Sequence, residues 1–133
     1  MKVIKYLGYL VAIFVVAIVG YVCFLWASTI HDTMTEGEKY GFSIETTKKE
    51  AFSDVLLLRV EYPNLAIYSY VEVELQAQSQ LIDLNFQYDD LKHYDQWRLN
   101  LNGKRKYNNS IRLNFKDDKL ISLYRHRQFY ELP

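Results

Sequence analysis

The chain has 133 residues, half of them hydrophobic, and its 16 basic and 16 acidic side chains cancel. One cysteine excludes an internal disulfide framework, and a formal net charge of zero argues against nucleic acid as the main partner. A chain of this length holds one domain at most beside any anchoring segment.

The first element is apolar. No charged side chain occurs from Tyr6 to Ile30. At 1.5 Å per residue such a helix is about 37 Å long, enough to cross a hydrocarbon core of about 30 Å with some tilt. The stretch outlasts the core of an ordinary signal peptide, and only Leu25 and Ala27 before Ser28 approximate a cleavage pattern. Cys23 follows Gly20, Tyr21 and Val22, which is not the approach to a lipidated cysteine. The expectation is a retained anchor, ahead of a cleaved signal and of lipidation. Lys2 and Lys5 precede the span while His31, Asp32, Glu36 and Glu38 follow it, so the positive-inside rule predicts a cytoplasmic N-terminus. Tyr6, Tyr9, Tyr21 and Trp26 suit the two interfaces. The preferred setting is a bacterial inner membrane with the C-terminal domain in the periplasm. Beyond the anchor 14 basic residues face 16 acidic ones, which disfavours a bare anionic surface as the main partner.

Residues 31–43, "HDTMTEGEKYGFS", are polar and aperiodic and predict a tether, giving a division into 1–30, 31–43 and 44–133. In "TTKKEAFSDVLL" Thr47 and Glu50 have capping-box spacing, and Ala51, Phe52, Val55 and Leu56 form an apolar stripe, predicting a helix that Pro63 ends. After Pro63 the period becomes two. "IYSYVEVEL", "LIDLNFQY", "QWRLNLN" and "IRLNFK" each alternate apolar with polar residues. "NGKRKYNN" and "KDDK" supply turns, and "KLISLYRHRQF" reads as a last strand whose alternation breaks near Tyr124, where a bulge or frayed end is expected.

These elements predict an α+β protein: an N-terminal transmembrane helix, then a two-layer domain of one helix on an antiparallel meander of about five strands. "GFSIETTKKEAF", Gly41 to Phe52, leading into a helix with strands behind it, resembles the SmpA/OmlA-like (BamE-like) small domains of bacterial envelopes and related inhibitor folds. The layout is also similar to that of membrane-anchored immunity proteins. The resemblance implies a role in binding another protein.

Catalytic patterns are sparse. "DDLKHYD" gathers Asp89, Asp90, His93 and Asp95, but as a connector between strands it reads as a solvated loop rather than a metal site. No Gly-x-Ser-x-Gly turn accompanies the histidines, and the glycines are too scattered for a phosphate loop. No enzyme, metal or cofactor is therefore expected; a metal-dependent hydrolase is the remote alternative. Binding is assigned to the sheet face opposite the core, through Tyr68, Tyr70, Arg98, Asn100 and Arg112. In "YRHRQFY" Arg125 and Arg127 share a strand face and form a second candidate, able to clamp a carboxylate or phosphate. The partner expected is a toxin or enzyme held in check, with a subunit of an envelope complex as the alternative.

Overall fold

The computed structural model describes residues 2–73, 78–104 and 108–128, with side chains described at 5–69, 84–104 and 108–128. Helix α1, Lys2–Ala27, carries the apolar stretch, and its Lys5–Ala27 portion is long and apolar enough to cross a membrane. Its large apolar side chains are exposed, Trp26 at 87 %, so none of the described residues of the domain covers them.

Two residues after α1 the chain is already in the sheet. Strand β1, Ile30–Met34, is followed by a hairpin of β2, Glu38–Lys39, and β3, Phe42–Ser43. The hairpin turns at Tyr40 and Gly41, both at positive φ, as a tight turn matched to right-handed strand twist requires. The segment expected to be a tether is thus folded. Asp32 hid the strand: it occupies an inward position where an alternating pattern would show an apolar residue, and it accepts hydrogen bonds there from Lys39 Nζ and from Tyr40 Oη at 2.8 Å.

Helix α2, Lys48–Glu61, begins with the predicted capping box. Glu50 N donates to Thr47 Oγ1 at 3.3 Å and Thr47 N donates to Glu50 Oε2 at 2.9 Å, satisfying two helix-end amides. Its buried stripe is Lys48, Ala51 and Val55, joined by the partly buried Leu58. Leu56, expected in the stripe, is 40 % exposed instead, because positions 48, 51, 55 and 58 follow the three-and-four spacing of one helix face and 56 does not.

Strands β4, Ala66–Val73, and β5, Gln78–Leu84, form a hairpin. The short helix α3, Tyr88–Leu91, then leads to β6, Gln96–Asn100, β7, Asn109–Lys116, and β8, Lys119–Arg127. The sheet is antiparallel with six strands in the order β1-β8-β7-β6-β4-β5. Only β6, β7 and β8 form the expected meander: β5 occupies the outer edge and β6 returns to the other side of β4. β7 and β8 turn through Asp117 and Asp118, both left-handed. The irregularity in their pairing lies between Asn114 and Phe115, opposite Ile121, rather than near Tyr124.

Register fixes the two faces. Ile67, Leu99 and Ile111 lie side by side on the face toward α2, as do Trp97, Leu113, Leu123 and Met34. Trp97 is wholly buried; its Nε1 donates to the carbonyls of Leu91 at 3.0 Å and Tyr94 at 3.1 Å, and its ring centroid is 4.5 Å from that of Phe115. This polar handle on a large apolar ring ties the α3 turn to the core. Buried Lys48 closes the far end of the helix layer, donating to Asp95 Oδ1 at 2.7 Å and to Lys92 O at 3.1 Å.

Candidate functional site

The side of the sheet away from α2 carries Tyr68, Arg98, Arg112, Tyr124 and Thr33, one from each of β4, β6, β7, β8 and β1, aligned by direct pairing. Beside this row runs a second, Asn100, Ser110, His126 and His31. Arg98, Arg112, Tyr124 and His126 are half-buried and His31 is exposed. The Arg112 guanidinium sits 5.7 Å from the Tyr124 ring centroid, a cation–π distance. His31 Nδ1 is 2.7 Å from Tyr124 Oη and 3.2 Å from His126 Nδ1, with the two imidazole centroids 4.7 Å apart. Burial, followed by the nearby His31, Arg98 and Arg125, holds the His126 imidazole below its ordinary range. Two guanidiniums stand directly opposite one another on this face, and such like-charge pairs cost stability in a sheet.

Of the residues assigned from sequence to this face, Arg98 and Arg112 are together in the row. Tyr68 shares it but is only 6 % exposed, and Asn100 is wholly buried with neither side-chain amide atom hydrogen-bonded. Both lie beneath the surface rather than on it, on the interior strands β4 and β6. Tyr70 belongs to β4, but its side chain lies outside the described residues. Tyr124, His126 and His31 were missed. The signal was present: in "YRHRQFY" Tyr124 and His126 alternate with Arg125 and Arg127, and only the latter pair was read as the functional one.

Arg125 and Arg127 do share a face, but it is the opposite one. Arg125 continues the row of Ile67, Leu99 and Ile111, is 7 % exposed, and donates to Ser110 O at 3.1 Å, His126 O at 2.7 Å and Asn109 Oδ1. Its charge is spent on strand carbonyls and an amide, and burial pulls its pKa down from that of a free guanidinium. It forms a wall of a cleft of about 470 Å³ between the sheet and α2, also bounded by Tyr40, Leu58 and Glu61. Arg127, exposed, stands at the mouth of that cleft.

The acids of "DDLKHYD" diverge. Asp89 accepts from Lys92 at 2.6 Å and Asp95 from Lys48, while Asp90 accepts from Asn85 at 3.4 Å. Among the described residues, no three metal-ligating side chains come together.

These features describe a small α+β domain on one long apolar helix, with a cationic, aromatic sheet face. No family model, curated protein or solved structure matches the chain.

Proposed function

We propose that the chain is a single-pass membrane protein, N-terminus in the cytoplasm, whose α+β domain binds another protein on the outer side of the membrane. The preferred setting is the periplasmic side of a bacterial inner membrane, and the preferred role is that of an immunity protein or inhibitor acting on a toxin or enzyme. The observation that carries the binding reading is the row Arg98, Arg112 and Tyr124 on the sheet face that α2 leaves uncovered. Arg and Tyr dominate the energetic centres of interfaces, because each brings large area and directional hydrogen bonds at modest entropic cost. Clustered guanidiniums favour a partner that presents carboxylates, which would steer its approach and fix its orientation. The apolarity of the Lys5–Ala27 portion of α1 and the bases Lys2 and Lys5 at its N-terminal end support the membrane reading.

Affinity capture of the full-length protein from its native membrane tests this. A protein partner retained by wild type and lost by the R98A/R112A variant is the expected result. Equal capture by both would remove this face from the function. A multi-protein membrane assembly among the captured material would replace the inhibitor role with that of an accessory subunit.

A further inference from the structure

Sheet direction defines two ends of the domain, and the chain arrives from α1 at only one of them. Ala27 ends α1 and Ile30 begins β1, so their Cα atoms are at most about 11 Å apart. Ile30 pairs with Arg127, Arg127 with Asn109, Ser110 with Asn100, and Asn100 with Ala66, so these strand ends form one edge of the molecule. The last turn of α2 reaches the same edge, because only four residues connect Glu61 to Ala66. The cleft beside Arg125 confirms the meeting: Ile30, Leu57, Glu61 and Arg127 all line it. The opposite edge holds the Asp117–Asp118 turn and the start of α2, joined by the Thr47–Lys119 bridge.

The near edge has an unusual surface. Leu57 and Val60 on α2 are 70 % and 80 % exposed, and Ile30 is 38 % exposed. Val55 on the same helix is wholly buried, so the second half of α2 is apolar on its outer side as well as its inner one. Around these residues stand Arg59, Lys104 and Arg127, with Glu61 beside them and Asp54 on the wall of the same cleft. Arg59 and Lys104 border a second cleft there with Asn64 and Phe86, the Arg59 guanidinium lying 4.3 Å from the Phe86 ring centroid. The connection that begins with Lys104 continues in sequence with Arg105 and Lys106. Arg59, Lys104 and Arg127 thus stand at the edge where α1 enters, beside its exposed apolar side chains.

We propose that this edge is a lipid-contact surface, with Leu57, Val60 and Ile30 at the headgroup–acyl boundary and Arg59, Lys104 and Arg127 on anionic headgroups. The inference rests on the reading that α1 spans the bilayer. A span ending at Ala27 leaves two residues of slack, so this edge cannot stand clear of the membrane. Exposed leucine and valine flanked by bases match an interface that is apolar below and negatively charged above. The domain is thereby docked rather than tethered, and its cationic sheet face is presented at a fixed attitude.

The test uses the full chain carrying C23S, reconstituted in phosphatidylcholine vesicles with and without phosphatidylglycerol. Fluorophores are placed one at a time through V60C, at the near edge, D117C, at the far edge, and F14C, within the span. Quenching by a nitroxide on the lipid headgroup is expected at the V60C probe and not at the D117C probe, and to grow when phosphatidylglycerol is present. Adding K104E/R127E should lower the docked population about fivefold for each base removed, equivalent to about 1 kcal/mol per Lys or Arg. Burial of the F14C probe in the acyl region, with V60C no more quenched than D117C, would leave the span intact and overturn the docking. A V60C probe shielded from water without lipid quenching would assign the patch to a second copy or another protein. An F14C probe open to water would overturn both the span and this inference.

Discussion

The two faces of the sheet place their charges differently. On the face toward α2, Arg125 is tied to three oxygen acceptors, Asp32 to Lys39 and Tyr40, and Lys48 to Asp95 and a carbonyl. On the other face, Arg98 and Arg112 are set directly opposite each other beside a pair of histidines. The first arrangement follows from burial, since a charge removed from water must find acceptors or counter-charges. The second sets two like charges directly opposite one another, an arrangement that cross-strand pairing does not itself favour.

The contrast is broken most severely at Trp97. Trp97→Ala removes a wholly buried ring together with two hydrogen bonds, and should cost about 3 to 5 kcal/mol in denaturant unfolding of the full-length protein. A cost under about 1 kcal/mol would mean that the face toward α2 is not the core. For Arg98→Ala the prediction reverses: the fold melts nearly as before while affinity for the captured partner falls about thirtyfold, or about 2 kcal/mol, measured by titration calorimetry. A variant that loses stability but not affinity would make Arg98 a structural residue like Arg125.

Lys48 sharpens the comparison from the helix side. Its ammonium is buried, whereas the Asp95 carboxylate it meets is mostly exposed at 76 %. The ion pair itself is therefore screened, and most of the loss in Lys48→Met should come from the abandoned hydrogen bonds, about 1 to 2 kcal/mol in all. Asp95→Asn, which keeps an acceptor at the same place, should cost less. If Asp95→Asn proves the more damaging change, the Coulombic attraction outweighs the hydrogen bonding.

Period and capping made much of this fold legible in advance. The capping box at Thr47 and Glu50 marked where α2 starts, and the alternation in "QWRLNLN" and "IRLNFK" put Trp97, Leu99, Ile111 and Leu113 on the buried face. The reading failed where polar side chains take inward positions. Asp32 disguised β1 as a tether, and with that strand His31 was lost from the sheet face. Arg125, satisfied by backbone carbonyls, looked from sequence like a free binding group. Alternation cannot distinguish a charge that faces a partner from one that faces the molecule's own strand ends; only register does. Strand order was equally hidden, since nothing local says that β6 passes to the far side of β4.

The smallest effect expected is a pH dependence, and it separates the two faces by the window in which each responds. Burial, His31, Arg98 and Arg125 depress His126 from its usual 6.5, so the folded protein resists a proton that the unfolded chain accepts. Stability then rises with pH through the region just below 6.5 and is lost on acidification there, because the unfolded state binds more protons. On the other face, hydrogen bonds from Lys39 and Tyr40 hold the Asp32 carboxylate below its usual 3.8, so its contribution is full above that value and is lost as the pH falls from it through the lowered pKa. Both groups lie on the β1–β8 junction, His126 opposite His31 and Asp32 opposite Arg125. Amide exchange across β1, followed from neutral pH down to about pH 5, should show opening that increases as His126 is forced to charge beside His31. In His126→Gln, which cannot take up a proton, that rise should vanish while the acid limb due to Asp32 remains. Persistence of the mild-acid opening in His126→Gln would shift its origin away from the histidine pair.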